Sequence, residues 1–390
     1  MTTKTKTNWR TVRLGDVASY ISRGVAPRYV ESDGLPVLNQ RCIRDGKVSL
    51  GESRLTDKKA AFSEDKLLRR YDVLINSTGT GTLGRVAQYA GESLIATVDS
   101  HVTIVRPDAK LVDPIYLGYA CKKLQPQFEA MAEGSSGQTE LSRTRLKEEV
   151  EILLPELKEQ KHVAEILSAF DEKIQNNNRI IKTLEEMAQA IFKEWFGSDA
   201  GENTILSAYV SHLKKQVVPS SSPEDVFWHY SIPAFDNKKL PSNESGGSIL
   251  SNKYCVEPGT ILFSKLNPTT PRIWPVIVAS DNPICSTEFL VLKPVKEKYF
   301  AFVHAFLRYS THIQNLANGV QGTSTSHQRL RPEDILLVEF PKPEEKKVAQ
   351  YNELAYPMLL NIDSLIKENE KLAATRDLLL PRLMSGEIQV

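Results

Sequence analysis

The strongest constraint on the fold is an internal repeat: six short patterns occur twice, in the same order, about 185–190 residues apart. Each copy holds two strand-like apolar runs, an Arg with an apolar neighbour, a Gly-x-x-Gly loop, an Arg-Leu step and an apolar run that ends in proline. The matched segments are 71–77 with 259–265, 85–86 with 272–273, 102–107 with 289–294, 134–137 with 319–322, 145–146 with 329–330, and 150–155 with 335–341. One match could arise by chance, but six in constant order predict two similar globular units.

Both units are predicted to be rich in strands with irregular loops, because Pro and Gly punctuate short runs of Val, Ile, Leu, Thr and Phe. Apolar residues at helical spacing predict short helices at 113–123 and 299–316. The segments 150–155 and 335–341, which close the two copies, are each predicted to be a short strand.

A long helix is predicted after each globular unit. Residues 158–196 contain no Pro or Gly, and Gly197 lies where a helix C-cap would. Three apolar positions per heptad form a stripe wide enough for partners on more than one side. At ~1.5 Å per residue this helix would be about 58 Å long. The segment 348–383 repeats the periodicity, with Pro357 expected to kink it and Pro381 to end it or bend its last turn.

The predicted order is therefore globular unit, helix, globular unit, helix, with segments 1–155, 156–198, 199–341 and 342–390. The helices are expected to form a coiled-coil or four-helix core, because one small domain cannot cover a helix of this length. Asn177 and Asn369 interrupt the apolar stripes. They are predicted to fix the helix register, since a polar residue there penalises slipped pairings.

Composition excludes several classes of protein. A hydrophobic content of 41% and a charged content of 25% are typical of a globular chain, and no apolar run reaches the ~18–20 residues that cross a bilayer. The first residues are polar and basic, so no secretory signal is expected. The four cysteines lie far apart without a CxxC pair, which favours a reducing, cytoplasmic setting. The net charge of +1 does not by itself indicate a nucleic-acid partner.

No catalytic or metal-binding residues are predicted. Residues 79–84 match the dinucleotide fingerprint GxGxxG, but the following sequence favours a β-hairpin from 85 to 98 instead of the helix that would receive phosphates. The same loop fails as a P-loop, because Arg85-Val86 stands where Lys-Ser/Thr is required. The seven histidines show neither HExxH nor clustering. The better interpretation of residues 79–84 is a flexible loop whose backbone can approach a binding partner.

Polar loops at matched positions of the repeat instead indicate recognition. They combine Arg, Lys, Asn, Gln, Ser and Thr with Gly, the side chains that contact phosphates and base edges. The candidate DNA-contacting residues are Asn39, Gln40, Arg41, Asn76, Thr78, Thr80, Thr82, Arg85, Ser135, Ser136, Gln138 and Arg143 in the first unit, and Lys265, Asn267, Arg272, Gln321, Thr323, Ser324, Thr325 and His327 in the second.

The duplicated order resembles the specificity subunit of type I restriction-modification enzymes. Similar landmarks are the start Trp-Arg-Thr-Val-Arg-Leu-Gly-Asp-Val at 9–17 and the segments 71–75, 134–138, 152–161, 230–236 and 378–388. Each motif is short, and their order and duplication over nearly the whole chain carry the resemblance. The second unit departs from it, because 203–210 stands in place of a clear Leu-Gly-Asp opening.

The resemblance implies an α+β fold of two mixed α/β target-recognition domains, separated by two long helices that form an antiparallel coiled coil. Each domain would read one half of a bipartite double-stranded DNA target. The helices would set the gap between half-sites and dock two copies of a methyltransferase (modification) subunit. The stripe residues assigned to the coiled coil or to docking are Ile166, Phe170, Ile174, Ile181, Leu184, Trp195, Ile362, Leu365, Leu372 and Leu379.

The resemblance also implies that this chain is not itself an enzyme and carries no cofactor. S-adenosylmethionine, ATP and Mg would be bound by partner subunits, which include restriction (motor and nuclease) subunits.

Three alternatives remain open from the residues alone. A coiled-coil scaffold that binds only proteins would show no DNA sequence preference. A fused methyltransferase or nuclease would need several hundred further residues with a cofactor pocket. A repeated carbohydrate-binding module is disfavoured, because 4 Trp in 390 residues make sparse aromatic platforms.

Overall fold

The chain divides into two compact units, one formed by 1–172 with 372–390 and the other by 173–371. The structure is a computed structural model, and it describes residues 9–58, 63–91, 95–133, 139–197, 201–278, 280–319 and 329–390.

The first unit is built mainly from short strands. Its strands are β1 (Arg10–Arg13), β2 (Ala18–Arg23), β3 (Tyr29–Val30), β4 (Leu35–Leu38), β5 (Ile43–Arg44), β6 (Lys47–Val48), β7 (Arg54–Thr56), β8 (Val73–Asn76), β9 (Val86–Gln88), β10 (Thr97–Val98), β11 (Val102–Pro107) and β12 (Glu151–Leu154). Its helices are α1 (Leu14–Val17), α2 (Pro114–Lys123), α3 (Gln125–Ala130) and α4 (Arg143–Glu148), and the long helix α5 (Leu157–Phe196) begins here.

The second unit holds α6 (Ile232–Asn237), α7 (Phe300–Tyr309), α8 (Thr311–Gly319), α9 (Pro332–Leu336) and most of α10 (Glu345–Leu383). Its strands are β13 (Asn203–Ile205), β14 (Val210–Leu213), β15 (Gln216–Val217), β16 (Val226–Tyr230), β17 (Ser242–Ser245), β18 (Lys253–Cys255), β19 (Thr260–Ser264), β20 (Ile273–Val276), β21 (Pro283–Ser286), β22 (Phe289–Pro294) and β23 (Glu339–Pro341).

Each unit contains the same antiparallel four-stranded sheet, with order β2-β11-β8-β9 in the first and β14-β22-β19-β20 in the second. Strands β8, β11, β19 and β22 are buried on nearly every residue, because they are central strands covered on both faces. A two-stranded pairing joins the ends of each unit, β1 with β12 and β13 with β23. A second sheet lies in each unit, with order β10-β4-β7-β3 and β15-β18-β21-β16-β17.

The predicted repeat and α+β class are confirmed by this shared topology, and strands β11 and β22 coincide with the matched segments 102–107 and 289–294. Backbone hydrogen bonds repeat as well. The N–H of Asn76 donates to the carbonyl of Arg85 at 2.9 Å, and that of Ser264 to the carbonyl of Arg272 at 3.0 Å.

Three local predictions were wrong. Strand β9 pairs with β8, and β10 pairs in parallel with β4, so 85–98 is not a hairpin. The segment 335–341 is not one strand, because residues 335–336 are the last two residues of α9 and the strand begins only at Glu339. The Arg-Leu step was also misaligned, because the residue that matches Leu330 is Leu141. Leu141 donates its N–H to the carbonyl of Ser77 at 2.8 Å, and Leu330 donates to that of Lys265 at 3.0 Å.

The short helices follow from local capping. The side chain of Asp113 accepts the N–H groups of Ile115 and Tyr116, and Pro114 supplies the first residue of α2, as predicted for 113–123. The helix predicted at 299–316 is instead two helices, α7 and α8. Ser310 adopts an extended backbone between them, and its hydroxyl accepts the N–H of His312 at 3.2 Å.

The two long helices pair antiparallel, which confirms the coiled-coil prediction. In the second unit Asn177 Nδ2 donates to Asn369 Oδ1 at 2.9 Å, and Tyr351 Oη donates to the carbonyl of Ala188 at 3.0 Å. In the first unit Arg376 hydrogen-bonds Asp171. Helix α10 continues through Pro357 and ends at Leu383, two residues after Pro381. The four-segment division by sequence stays a prediction, because the compact units divide through both helices.

The ten assigned stripe residues are all buried or half-buried. Ile174, Ile362 and Leu365 are buried. The half-buried members are Ile166, Phe170, Ile181, Leu184, Trp195, Leu372 and Leu379. Ile180 and Met187, which also fall at the spacing of the stripe, are 36% and 46% exposed. The neighbouring positions that recur every seven residues are buried at Leu167, Ile174 and Ala188.

His304, on α7, is buried inside the second unit. It borders a cavity of about 50 Å³ whose charged lining is Glu185, Lys239, Arg308 and Asp363. Removal from water and the nearby cations Arg308 and Lys239 lower the pKa of His304 to about 3. The imidazole is therefore neutral in the folded unit at neutral pH.

Acidification is expected to destabilise the second unit through His304. Its folded pKa lies below the unfolded value of about 6.5, so the unfolded state takes the proton first and stability falls as pH drops below about 6.5. With a folded pKa of about 3, the free energy of unfolding of the second unit is expected to fall by about 2 kcal/mol between neutral pH and pH 5. Hydrogen exchange of second-unit peptides at pH 7.5 and pH 5, corrected for the intrinsic rate, measures it. His304→Phe should reduce this pH dependence, whereas His162→Gln, at an exposed position, should leave it intact; equal slopes in both variants would contradict the assignment.

Candidate nucleic-acid interface

Two of the predicted recognition loops meet in the first unit. Asn76, at the end of β8, is buried, and its Nδ2 donates to the carbonyls of Gln40 at 3.0 Å and Thr82 at 3.1 Å. Its Oδ1 is buried without a hydrogen-bond partner among the described residues. Asn76 therefore ties the two loops together and is itself turned away from solvent.

The loop 39–42 is a short 3-10 turn that Asn39 caps. The Oδ1 of Asn39 accepts the N–H of Arg41 at 2.8 Å, and the Nδ2 of Asn39 donates to the carbonyl of Glu52 at 2.8 Å. Both polar ends of Asn39 are thus engaged in shaping the loop. Gln40 is half-buried and Arg41 is exposed, so these two side chains are the ones available to a partner.

The loop 79–84 is a compact turn and not a cofactor cradle. Gly79, Gly81 and Gly84 all have positive φ, at 103°, 72° and 82°. A side chain at Gly84 would come within 2.7 Å of the backbone nitrogen of Glu129, so glycine is required for close approach. Strand β9 follows the loop where a dinucleotide site needs a helix.

The remaining candidates in this loop differ in availability. Arg85 Nη2 donates to the carbonyl of Gly81 at 2.7 Å, which holds the guanidinium over the turn. Thr82 Oγ1 donates to the carbonyl of Thr78 at 3.3 Å, whereas Thr80 is exposed. Among the candidate side chains of this loop, Thr80 is therefore the exposed one.

The described residues on either side of the third predicted loop lie near the second. Glu140 forms β-bridges with both Thr78 and Glu133, so Glu133 and Glu140 lie at the end of β8. Ser135, Ser136 and Gln138 themselves lie outside the described residues. Arg143 is exposed at the start of α4.

His101 and Asp99 join this surface, and sequence reasoning missed both. His101 is exposed, and its Nδ1 lies 2.7 Å from Thr78 Oγ1. Asp99 is buried, its Oδ1 accepts the N–H of His101 at 2.9 Å, and its removal from water raises its pKa. The only signal was the spacing Asp-x-His, which is typical of a side chain that caps a turn.

The second unit places its candidates on the same framework. Lys265 and Asn267 follow β19, and Leu266 forms a β-bridge with Arg329, the first described residue after the segment 320–328. Gln321, Thr323, Ser324, Thr325 and His327 lie outside the described residues. Asn267 has a positive φ of 49° and accepts the N–H of Thr270 at 2.9 Å, so it shapes a turn.

Arg272 is held by a carboxylate within its own unit. Its Nε and Nη2 donate to the two oxygens of Asp236 at 2.7 and 2.8 Å, and this hydrogen bonding raises the pKa of the guanidinium. A bidentate pair of this kind leaves little of Arg272 for a ligand. Asp236 belongs to the landmark 230–236, and its role could not be read from sequence.

Glu288 and Arg329 complete this surface in the second unit. Arg329 Nη2 donates to Glu288 Oε1 at 2.6 Å, and the arginine side chain is 61% exposed. In the sequence Arg329 belongs to the repeated Arg-Leu step at 329–330, but no sequence pattern pointed to Glu288.

The described part of the chain shows neither a group of metal ligands nor a helix that could span a membrane. Within the described ranges, no three His, Cys, Asp or Glu side chains are grouped to hold a metal ion. The helices in the same ranges are each too short or too polar to cross a bilayer.

The two units thus carry two copies of one strand framework, with different polar side chains at the equivalent edge. Comparison with known proteins gives the class. Residues 6–186 match the family described as type I restriction modification DNA specificity domain. A putative type I restriction enzyme MjaX specificity subunit of Methanocaldococcus jannaschii is 24% identical over 422 residues, spanning 98% of this chain and 94% of that protein. The MjaIX specificity subunit of the same organism is 23% identical over 381 residues, or 88% and 83% of the two chains.

The fold agrees with these sequence matches. A crystal structure of a type I restriction-modification system S subunit from M. genitalium superposes with a TM-score of 0.65 at 16% identity, covering 98% of both chains. Residues 6–186 therefore match the DNA specificity domain of type I restriction-modification systems, and the chain is similar over most of its length to specificity subunits of these enzymes. Subunits of this class are the non-catalytic DNA-recognition components of such systems.

Proposed function

We propose that the two repeated domains each read one half of a bipartite target in double-stranded DNA. The observation that carries this is the shared backbone framework beneath the recognition loops. Three backbone hydrogen bonds occur at equivalent positions of both domains. Asn76 N–H to Arg85 O matches Ser264 N–H to Arg272 O, and Ser77 N–H to His101 O matches Lys265 N–H to Glu288 O. Leu141 N–H to Ser77 O matches Leu330 N–H to Lys265 O.

The side chains on this shared framework differ between the domains. The turn before β11 presents His101, and the matching turn before β22 presents Glu288. The bridge position beside the loop is Glu140 in the first domain and Arg329 in the second. One frame with two sets of hydrogen-bonding groups suits two different half-site sequences.

The long helices are proposed to set the gap between the half-sites. Helix α5 has 40 residues and α10 has 39, and each continues unbroken from one compact unit into the other. The Asn177–Asn369 hydrogen bond fixes their register, because a slipped pairing would bury both amides against apolar side chains.

The same helices are proposed to dock two methyltransferase (modification) subunits. Their outer faces keep large apolar side chains exposed, with Met187 at 46%, Leu354 at 47% and Leu378 at 66%. S-adenosylmethionine, ATP and Mg are proposed to be bound by the partner subunits, including the restriction (motor and nuclease) subunits.

Exchange of one domain tests the two-headed function. The full chain is co-expressed with its modification subunit, and methylated adenines are mapped across the host DNA at base resolution. Replacing residues 1–155 with the corresponding domain of a relative should change one half of the methylated motif and leave the other half and the gap unchanged. The matched control replaces 203–341, which should change only the other half. Methylation that ignores both exchanges, or its absence despite a stable complex, would contradict the proposal and favour a protein-binding scaffold.

A further inference from the structure

We propose that Arg329 reads a guanine in the half-site of the second domain and that Glu288 is the positioning residue that aims it. This inference rests on the proposed function and adds to it one residue pair and one base. It concerns the edge of the second unit where β19, the turn before β22 and the described end of a candidate recognition loop meet.

The backbone of Arg329 is fixed although its side chain is exposed. Its β-bridge with Leu266 and the bond from the N–H of Leu330 to the carbonyl of Lys265, at 3.0 Å, anchor the chain at Arg329 and at the residue that follows it. The side chain is 61% exposed. An arginine on an anchored backbone loses less freedom when it binds than one on a free loop.

Glu288 is anchored still more firmly. Its N–H donates to Ser286 Oγ at 3.2 Å, and its carbonyl accepts the N–H of Lys265 at 2.9 Å. Its side chain is only 25% exposed, and Oε1 accepts Arg329 Nη2 at 2.6 Å. Oε2 is buried and has no hydrogen-bond partner among the described residues. The Glu288 carboxylate therefore has a fixed position, from which it holds the guanidinium of Arg329 by one hydrogen bond.

The pair leaves the correct donors free. Oε1 takes one N–H of Nη2, which leaves the second N–H of Nη2 to form a two-donor edge with either Nη1 or Nε. The described residues give Nε and Nη1 of Arg329 no partner in any hydrogen bond or ion pair. Guanine offers O6 and N7 as adjacent acceptors in the major groove, and a planar arginine fork meets both at once. A carboxylate that accepts one N–H of the guanidinium restricts the rotation of the group and leaves its other N–H donors available to the base.

The repeat shows that this chemistry belongs to one domain only. The position that matches Arg329 is Glu140, and the position that matches Glu288 is His101. Glu140 Oε1 lies 2.6 Å from Arg23 Nη2 in an ion pair, so the first domain presents a paired carboxylate where the second presents the arginine fork. Two heads that read different sequences require a difference of this kind at a common place.

A nearby arginine provides a matched control. Arg331 lies two residues further along, is 79% exposed, and donates through Nε and Nη2 to Asp334 at 2.9 Å each. It has the same charge and a comparable carboxylate partner. It differs from Arg329 in that it precedes α9 and lies outside the β-bridge.

The test measures binding of the full chain, assembled with its modification subunits, to duplexes in which each target base pair is replaced in turn. In the wild-type complex, replacing one G·C pair of the second half-site should weaken binding about tenfold to hundredfold. Arg329→Ala should lose this sensitivity at that pair and keep it at every other pair. Arg331→Ala should retain the wild-type pattern.

Two conservative variants separate base reading from simple charge. Arg329→Lys keeps the charge but not the fork, so it should not restore discrimination at the guanine. Glu288→Gln should relax discrimination at the same base pair, and Glu288→Gln combined with Arg329→Ala should add nothing further there.

The contrary outcomes are equally specific. Arg329→Ala could instead weaken binding uniformly across all sequences and lower the slope of log affinity against log salt concentration by about one. If Arg329→Lys then restores binding, the residue contacts phosphate and the inference is overturned. An unchanged discrimination profile overturns it as well. A wild-type complex with no sequence preference at all would instead overturn the proposed function, which the two other results leave standing.

Discussion

Insertion of one heptad into each long helix, immediately after Asn177 in α5 and immediately before Asn369 in α10, is expected to widen the preferred gap between half-sites by about 3 base pairs. Seven residues lengthen a helix by ~10 Å, and DNA rises ~3.4 Å per base pair. The two insertions face each other, because Asn177 Nδ2 and Asn369 Oδ1 are hydrogen-bonded at 2.9 Å. A whole heptad also returns the apolar stripe to the same face.

Adenine-methylation mapping of the variant complex measures the new gap. Sites with the original gap should lose methylation, because three base pairs also rotate one half-site by about a third of a helical turn. The control inserts seven residues into α5 alone, which leaves them unpaired and should abolish methylation at every gap. A doubly inserted chain that still methylates sites of the original gap would contradict the spacer role.

The second large effect is expected from breaking the buried ion pair of the first unit. Arg106 Nε and Nη2 each donate to Asp72 at 2.8 Å, and Nη2 and Nη1 also donate to the carbonyls of Leu67 and Asp65. The side chains are 8% and 0% exposed. Asp72→Ala leaves the guanidinium buried without its counter-charge and should destabilise the unit by about 3–5 kcal/mol.

Hydrogen exchange of amides in β8 and β11 measures this loss, with peptides of the second unit as internal reference. The repeat supplies the control, because the position that matches Arg106 is Lys293. Lys293 is 37% exposed and lies 3.5 Å from an exposed Glu257, so Lys293→Ala should cost less than about 1 kcal/mol. Similar losses in the two variants would contradict the importance of burial.

Much of the fold was predictable because it depends on local pattern. Strands β11 and β22 are continuous apolar runs of six residues, which sequence alone marks as buried strands. Helix α5 has 40 residues, and its heptad pattern without Pro or Gly marks it as one long helix although Asn177 interrupts the stripe. The antiparallel pairing of the helices came from family resemblance, since periodicity does not give direction.

What sequence missed depends on contacts between distant residues. Thr97 and Val98 pair with β4, about 60 residues earlier, and local sequence favoured the nearer β9. Arg272 has the composition of a ligand contact, yet Asp236 occupies it from another element. Glu288 gave no signal, because its importance lies in the arginine that reaches it from position 329.

The first unit is discontinuous in the chain, and this has a consequence for synthesis. Leu380, Leu383 and Met384 pack into the same core as Val163 and Leu167, so that core needs residues made more than 200 positions later. Residues 173–371 are complete once position 371 has left the ribosome. The unit that is translated first therefore closes last, and until its final strip of helix arrives, the nascent chain must keep an apolar surface exposed to the chaperones of the cell.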